Sequence, residues 1–256
     1  MATLGFIGSG SIGTAVARLA VAAGIDVVLS NSRGPETLTE TVAELGERAR
    51  AATPEEAARA GDWVVVSIPL AAYQKLPAAA LEGKVVLDTI NYYPMRDGHI
   101  EALDSGQTTT SELVQEHLGG AKLVKAFNSI SDHHIPSLAR PSGAADRTAL
   151  PIAGNDPEAK ASAADVIGRL GFDTVDAGPL TEGWRFEPET DPYAVPYSAA
   201  PDAIRAFWAE LSEALRSGTM PQTPPPVDAG VPLPAAQLRT LLADTPRKLT
   251  ADRVVA

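Results

Sequence analysis

Three glycines in the spacing Gly-x-Gly-x-x-Gly, the stretch Gly8-Ser9-Gly10-Ser11-Ile12-Gly13, follow a short apolar run and open an amphipathic stretch. Between a strand and a helix, this spacing is typical of a turn that binds a dinucleotide. The first glycine permits the tight turn, the second lets the backbone approach a pyrophosphate, and the third packs the helix against the strand. Free N–H groups at the helix N-terminus would attract the phosphates. A glycine turn without a ligand is the alternative interpretation.

The second predicted strand ends without the acidic residue that usually binds the ribose 2′-hydroxyl of NAD. It ends at Leu29-Ser30, and Asn31, Ser32 and Arg33 follow. A carboxylate there would repel a 2′-phosphate, whereas Ser32 can donate a hydrogen bond and Arg33 can pair with the phosphate charge. We therefore predict that these three residues form part of an NADP(H) site. The alternative is that Arg33 is a solvated surface residue.

The composition excludes several other kinds of site. The chain has 256 residues, a formal net charge of −11 and no cysteine. The negative charge disfavours nucleic acid and anionic membranes as partners. The lack of cysteine excludes disulfides, thiolate metal ligands and thiol nucleophiles. Because a strand-forming segment starts close to Met1 and no long uncharged apolar run follows, we expect a cytoplasmic protein without a leader or membrane span.

Short apolar runs alternate with alanine-rich amphipathic stretches. The runs cover residues 4–7, 27–29, 63–68, 85–87, 123–127, 150–153 and 172–175. They are often β-branched and do not alternate with polar residues, which is typical of strands buried on both faces of a parallel sheet. Helix starts are indicated by capping boxes at Thr53 and Thr109 and by Asp156-Pro157. This alternation predicts an α/β fold with a doubly wound, mostly parallel, Rossmann-type sheet.

The strand–helix alternation weakens after residue 182. We predict three parts: an NADP-binding domain over residues 1–182, a loop and helix covering the site over 183–217, and a proline-rich C-terminal arm over 218–256. The middle part would contain a loop at 183–196 and a helix over Pro201–Arg216. The arm includes Pro224-Pro225-Pro226 and a short helical pattern near residues 235–243, and its proline-rich stretch favours an extended path.

The loops after the third, fourth and fifth apolar runs offer hydroxyl, amide and apolar side chains. In a doubly wound sheet these loops gather at the ligand crevice. The residues concerned are Ser67, Ile68, Pro69 and Tyr73, then Asn91, and then Asn128, Ser129 and Ile130. No general acid or base is evident among them. Such a site suits a hydride acceptor that is itself a conjugated cofactor, because the protein then supplies orientation and electrostatics.

Two of the four histidines, His133 and His134, are adjacent. Neighbouring side chains point apart in a regular element, so we predict no metal site. Polar loop roles and contact with a substrate both remain open for these residues.

The chain resembles the coenzyme F420-dependent NADP oxidoreductase family, whose Rossmann domain is also similar to that of the STEAP metalloreductases. The resemblance covers roughly residues 3–182 and rests on the stretches GFIGSGSIGTAVARLAVAAG, SNSRGPETL, VVVSIPLAAY, VVLDTINYYP, TSELVQEHLGGAKLVKAFNSI and DAGPL. It implies direct hydride transfer between C4 of the nicotinamide of NADP(H) and C5 of the deazaflavin F420. No catalytic acid or base is implied; the protein positions the two rings.

The resemblance also implies roles for individual residues. Ser9, Ser11 and Ile12 would lie on the NADP phosphates, with Ser9 also near the acceptor ring. Ser32 and Arg33 would hold the 2′-phosphate, and Ile68 and Pro69 would flank the nicotinamide. Asn128, Ser129 and Ile130 would face the acceptor ring, with Ile130 as a spacer that sets the hydride distance.

Residues 183–186, Gly-Trp-Arg-Phe, follow the DAGPL segment. We hypothesise that Trp184 stacks on a flat ring and that Arg185 meets an anionic tail such as that of F420. The alternative is that Trp184 and Phe186 cap the core beneath the loop.

Two other functions are consistent with the sequence. The first is an NADPH-dependent reductase of a flavin, a quinone, an imine or a carbonyl compound. The second is a module that senses NADP(H) without turnover. We also expect a homodimer, because apolar residues of the arm (Val227, Val231 and Leu233) lie on an extended path that could cross a partner subunit or its own domain.

Overall fold

The structure is a computed structural model that describes residues 1–217, 219 and 225–249. Eight strands form a single sheet in the described part of the chain. They are β1 (Thr3–Ile7), β2 (Asp26–Ser30), β3 (Ala49–Ala51), β4 (Trp63–Val66), β5 (Val85–Asp88), β6 (Lys122–Lys125), β7 (Ala149–Gly154) and β8 (Asp173–Asp176). Their order is β3-β2-β1-β4-β5-β6-β7-β8. Neighbours are parallel except β6 and β7, which are antiparallel, so the predicted doubly wound, mostly parallel sheet is confirmed.

Helices connect the strands. They are α1 (Ser11–Ala22), α2 (Thr39–Leu45), α3 (Pro54–Ala60), α4 (Ala78–Leu81), α5 (Pro94–Asp97), α6 (Glu101–Asp104), α7 (Thr110–Leu118), α8 (His134–Leu138), α9 (Pro157–Arg169), α10 (Pro201–Arg216) and α11 (Ala235–Asp244). Short 3₁₀ helices lie at Pro35–Leu38, Leu70–Lys75, Leu180–Phe186 and Val195–Tyr197. Within the described residues no helix is long and apolar enough to span a bilayer.

The continuous apolar runs are strands covered on both faces. Val64, Val65 and Val66 are all fully buried, yet Val65 packs in one hydrophobic cluster and its two neighbours pack in another. Because successive side chains of a strand point to opposite faces, each face needs its own apolar residues. Because both faces of β4 are buried, three successive residues of this strand are valine.

The predicted helix starts are present. The Thr53 hydroxyl accepts a hydrogen bond from the Glu56 N–H, and the Glu56 carboxylate accepts one from the Thr53 N–H. Thr109 and Glu112 make the same reciprocal pair. Each capping box satisfies backbone N–H groups that the first helical turn leaves unpaired.

The strand order reverses between β1 and β4. From β1 the sheet grows toward β3, and from β4 it grows toward β8. The loops that follow β1 and β4 therefore diverge and leave a crevice at the carboxyl ends of these strands, where ligands bind in open α/β sheets.

The C-terminal parts differ in detail from the prediction. The predicted loop 183–196 contains two short 3₁₀ segments, while the helix Pro201–Arg216 is confirmed. Residues 218, 220–224 and 250–256 of the predicted arm, including Pro224, lie outside the described residues. Leu233 and Leu238 are buried in the main hydrophobic cluster, so this part of the arm packs on its own chain.

Candidate functional site

The glycine turn between β1 and α1 has the geometry of a phosphate-binding turn. Gly8 has a left-handed backbone (φ 105°), and a Cβ on it would lie 2.0 Å from the carbonyl oxygen of Ser67. A Cβ on Gly13 would lie 2.4 Å from the Gly8 carbonyl oxygen. Both positions therefore require glycine for the fold itself. A Cβ on Gly10 would meet no atom within 4 Å, so this glycine leaves open space on the ligand side of the turn.

The N-terminus of α1 is open to an anion. Gly10 is its N-cap, no side chain caps it, and no acidic residue lies in its first turn. The N–H groups of this turn and the helix dipole therefore favour a phosphate at this position.

The turn after β2 is built around Asn31. Its Oδ1 accepts hydrogen bonds from the N–H groups of Arg33 (2.9 Å) and Gly34 (3.0 Å), and its Nδ2 donates to the Thr37 hydroxyl (2.9 Å). The side chain of Asn31 thus shapes the turn, while Ser32 and Arg33 are exposed. An exposed cation beside the end of β2 suits a 2′-phosphate better than a ribose hydroxyl.

A cavity of about 750 Å³ extends from the glycine turn across the carboxyl ends of β4, β5 and β6. Helix α10 and the segment 225–227 form its far side. Its lining includes Gly10, Ser11, Ile12, Ser67, Ile68, Pro69, Asn91, Asn128 and Ile130, which were all predicted as site residues. The remaining lining includes Tyr93, Arg96, Phe127, His133, Tyr193, Ala194, Ile204, Phe207 and Trp208, which sequence reasoning missed as site residues.

Two asparagines hold the floor of the cavity together. Asn128 Nδ2 donates to Asn91 Oδ1 (3.0 Å) and to the Phe186 carbonyl (2.8 Å), and Asn91 Nδ2 donates to the Asn128 carbonyl (2.8 Å). Asn128 is buried, and its Oδ1 has no hydrogen-bond partner among the described residues. An unpaired buried acceptor is costly, so a ligand N–H or O–H group would be stabilised there.

Buried charges fix the loops beneath this floor. Lys125 is fully buried, and its Nζ donates to the Ile90 carbonyl (3.0 Å) and pairs with the Glu187 carboxylate (3.1 Å). Burial raises the pKa of the neighbouring Asp88, although Lys125 and a hydrogen bond from Ser111 oppose the shift. This network ties the loop after β5 to the segment near residue 187, which is a structural role for Lys125.

An aromatic cluster lines the acceptor side of the cavity. The ring of Trp208 stacks on that of Tyr93, with centroids 6.4 Å apart, and lies 6.5 Å from that of Tyr193. The two tyrosine hydroxyls are hydrogen-bonded to each other. Burial raises the pKa of Tyr93 and raises that of Tyr193 well above its ordinary value. Both phenols are therefore protonated at neutral pH.

Three of the residues predicted from the loops do not line this cavity. Ser9 accepts a hydrogen bond at its carbonyl from the Thr14 hydroxyl, and Tyr73 packs edge-on against His117. Ser129, which was expected to face the acceptor, is fully buried, and its carbonyl accepts the Ala194 N–H (2.9 Å). Ser129 therefore positions the segment at Ala194, which itself lines the cavity.

Trp184 and Arg185, which were expected to contact the acceptor, do not line this cavity. The Arg185 guanidinium pairs with Glu182 (2.6 Å) and donates to the Leu242 carbonyl (3.1 Å). The Trp184 ring lies against the guanidinium groups of Arg185 and Arg247. The 3₁₀ helix Leu180–Phe186 buries Phe186 in the core and turns these two side chains toward the end of α11.

The rings of His133 and His134 lie 4.0 Å apart, so the expectation that these side chains diverge is wrong. They lie where the chain enters α8, not inside a regular element. His134 is fully buried, and its Nε2 contacts Asp228 Oδ1 at 2.9 Å. Ligand atoms of the two imidazoles and this carboxylate lie within 4.8 Å of one another, close enough to surround a metal ion.

The Asp228 carboxylate is already fully hydrogen-bonded, however. Besides His134 it accepts hydrogen bonds from the Ser198 hydroxyl (2.5 Å) and from the N–H groups of Ala199 (3.0 Å) and Gly230 (2.6 Å). Burial would raise the pKa of Asp228, but these hydrogen bonds outweigh it and lower the pKa. The pair therefore ties the segment 225–230, which lines the cavity, to α8.

Residues 3–92 match the model of a protein family described as NADP oxidoreductase, coenzyme F420-dependent. The matched segment contains the glycine turn, the Ser32-Arg33 turn and the ends of β4 and β5. No curated protein matches the chain.

Solved structures resemble most of the chain. The hypothetical protein SMa0349 of Sinorhizobium meliloti is 30% identical with a TM-score of 0.64, over 73% of this chain and 90% of that protein. A candidate F420-dependent NADP reductase of Arthrobacter sp. FB24 is 20% identical with a TM-score of 0.60, over 89% of this chain and 100% of that protein. 3-Hydroxyisobutyrate dehydrogenase of Mycobacterium tuberculosis is 17% identical with a TM-score of 0.51, over 85% of this chain and 66% of that protein. The last two likenesses show a shared fold.

Proposed function

We propose that this chain, whose residues 3–92 match the model of the coenzyme F420-dependent NADP oxidoreductase family, transfers a hydride between NADP(H) and F420. The observation that carries the proposal is a continuous cavity of about 750 Å³ that joins the open glycine turn to an apolar and aromatic chamber. A nicotinamide that enters from the turn and a flat acceptor that enters from the aromatic side would meet in one compartment. Direct hydride transfer requires such contact between the two rings.

The residues at the turn fit NADP(H). The open space at Gly10 and the uncapped start of α1 would receive the pyrophosphate. Ser32 and Arg33 would hold the 2′-phosphate, and Ile68 and Pro69 would flank the nicotinamide. When bound, the reduced nicotinamide supplies the hydride, and the protein supplies its position.

The acceptor side fits a planar ring system with an anionic extension. Ile130 would set the distance between the rings, and the unpaired Asn128 Oδ1 would accept a ring N–H. Trp208 offers an aromatic face next to the cavity. At the rim, the half-exposed Arg96 replaces Arg185 as the cation for an anionic tail.

A second candidate function is reduction of another acceptor, such as a flavin, a quinone, an imine or a carbonyl compound. The hydroxyls of Tyr93 and Tyr193 in the cavity favour it, because reduction of a small polar double bond needs a proton donor. The sequence showed no such donor, since the two tyrosines are 100 residues apart.

We further propose that residues 1–182 act as the NADP-binding domain, that 183–217 cover the acceptor side, and that 218–256 form an arm. Ile204, Phe207 and Trp208 of α10 line the cavity, and this position supports a covering role for the middle part.

The proposal is tested by following NADPH absorbance with F420, FMN, a quinone, a cyclic imine and a small aldehyde as separate acceptors. NADPH binding is measured in parallel by its fluorescence. We expect turnover with F420 and none with the aldehyde. Turnover with the imine or aldehyde alone would support the second candidate. NADPH binding without turnover of any acceptor would indicate the sensing module instead.

A further inference from the structure

We propose that Tyr93, backed by Tyr193, is the proton donor of the reaction, a role that rests on the proposed function. Its proton would go to the nitrogen or oxygen atom conjugated with the acceptor carbon that receives the hydride. The sequence pattern indicates no catalytic acid and predicts positioning roles alone.

The two tyrosines come together from distant parts of the chain. Tyr93 lies in the loop after β5, and Tyr193 lies in the segment before α10. Both line the cavity, and their hydroxyls are hydrogen-bonded to each other. Trp208 stacks on Tyr93 and holds its ring in place. The pair is thus a fixed feature of the acceptor side.

Asn91 orients the tyrosine pair. Asn91 Oδ1 accepts from Asn128, so the Nδ2 group of Asn91 faces the Tyr193 hydroxyl oxygen, at 3.4 Å. Either hydroxyl of the pair can donate to the other. In the proposed arrangement Tyr193 donates to the Tyr93 oxygen, and the Tyr93 O–H is then available to a ligand.

The surroundings also stabilise the phenolate that forms when Tyr93 gives up its proton. The Arg96 guanidinium lies 4.9 Å from the centre of the Tyr93 ring and is held there by the Asn91 carbonyl (2.8 Å) and Asp97 (2.9 Å). The Tyr193 O–H would donate to the phenolate oxygen. Burial raises the pKa of both phenols, and the Arg96 charge opposes the shift at both. Because the Arg96 guanidinium lies directly against the Tyr93 ring, it favours ionisation of Tyr93 over Tyr193.

The hydride from the reduced nicotinamide brings its electron pair to the acceptor carbon, and the conjugated π-electrons of the acceptor shift onto the nitrogen or oxygen atom at the far end of the conjugated system. That atom takes the proton of Tyr93 as the phenol O–H bond breaks. The nicotinamide is oxidised, the acceptor is reduced by two electrons, and water returns a proton to Tyr93.

The first test is an ultraviolet titration of tyrosinate in the protein without cofactor. The difference between wild type and Tyr93→Phe isolates the ionisation of Tyr93. We expect Tyr93 to ionise at lower pH than Tyr193, and Tyr193→Phe to raise the pKa of Tyr93, because it removes the donor to the phenolate. Earlier ionisation of Tyr193, or a Tyr93 pKa that Tyr193→Phe leaves unchanged, would overturn the proposal.

The second test is single-turnover hydride transfer from NADPH to the acceptor that wild type uses, in H₂O and in D₂O. We expect Tyr93→Phe to slow the transfer roughly 10²- to 10⁴-fold, the usual contribution of a general acid, with NADPH affinity unchanged. Tyr92→Phe is the matched control, because the Tyr92 hydroxyl binds Asp104 outside the cavity. If wild type transfers the hydride and Tyr93→Phe transfers it equally fast, the donor role of Tyr93 is overturned and the proposed function stands. Failure of wild type with every acceptor overturns the proposed function and the donor role with it.

Discussion

Gly10 and Gly13 belong to the same turn but have different physical reasons to be glycine. A Cβ at Gly13 would collide with the Gly8 carbonyl, whereas a Cβ at Gly10 would enter open space. We therefore expect Gly10→Ala to keep the melting temperature of the protein and to weaken NADPH binding at least tenfold, since the methyl group would occupy the phosphate position. Gly13→Ala should lower the melting temperature.

The control for this pair is Gly168→Ala in α9, where an added Cβ also meets open space. It should leave NADPH affinity unchanged and raise the melting temperature slightly, because Ala favours a helix over Gly by up to about 1 kcal/mol. If Gly10→Ala bound NADPH as tightly as Gly168→Ala, the glycine turn would not be the phosphate site.

Arg33 decides between the two nicotinamide cofactors in this account. Loss of one charge-assisted contact to phosphate costs about 1.5–3 kcal/mol, which is roughly ten- to hundredfold in affinity. Arg33→Ala should lose this factor for NADPH and little for NADH. Arg239→Ala, an exposed arginine on α11, is the charge-matched control. Equal affinity of wild type for both cofactors, measured by titration calorimetry, would contradict the prediction.

The connection between α8 and the segment 225–230 depends on one buried histidine. Burial lowers the pKa of His134 below its ordinary value, although the Asp228 hydrogen bond opposes the shift. Above the unfolded-state pKa both states hold a neutral imidazole. As the pH falls through about 6.5, the unfolded chain is protonated first, so the folded state loses relative stability.

We therefore expect the free energy of unfolding to fall between about pH 7 and pH 5, by at most about 1.4 kcal/mol per pH unit from this residue. His134→Gln should reduce that slope, and His99→Gln, an exposed histidine, should retain it. Urea unfolding at several pH values measures both. If the unfolding free energy changes with pH equally in wild type and in His134→Gln, the His134–Asp228 contact does not cause the pH dependence of stability.

Most of the elements could be predicted from the sequence because their signals are local. β4 is buried on both faces and so reads as an apolar run, and the Thr53 capping box uses contacts within one helical turn. The strand β3 was not predicted. It lies at the edge of the sheet, its three residues are only partly buried or exposed, and it therefore has no apolar run.

The sequence predicts the nucleotide side of the candidate site and, on the acceptor side, the cavity-lining residues Asn128 and Ile130. The glycine turn is a contiguous motif, so its spacing alone identifies it. The rest of the acceptor side depends on Tyr93, Tyr193 and Trp208, which the packing of α10 brings together. These residues are far apart in the chain, so no local sequence pattern predicts their contact. Trp184 follows DAGPL but does not line the cavity, because the direction in which the 3₁₀ helix turns its side chain has no local sequence signal.

At the scale of the whole molecule, a homodimer remains a prediction. Val227 and Val231 are exposed, at 76% and 39%, although the neighbouring Leu233 is buried in its own chain. Exposed apolar side chains on an extended segment favour contact with a second copy. Light scattering should give twice the chain mass, and Val231→Asp should give the monomer mass. A monomeric wild type would refute the prediction.

The central claim is that one cavity brings the nicotinamide and a deazaflavin into direct contact. The most direct measurement uses NADPH deuterated at the transferring C4 position and oxidised F420 in H₂O, with mass spectrometry of the reduced F420. Direct transfer predicts that the deuterium of NADPH appears on C5 of F420 without dilution by solvent hydrogen. Reduced F420 that carries solvent hydrogen at C5, or F420 that stays oxidised while NADPH is bound, would contradict the account.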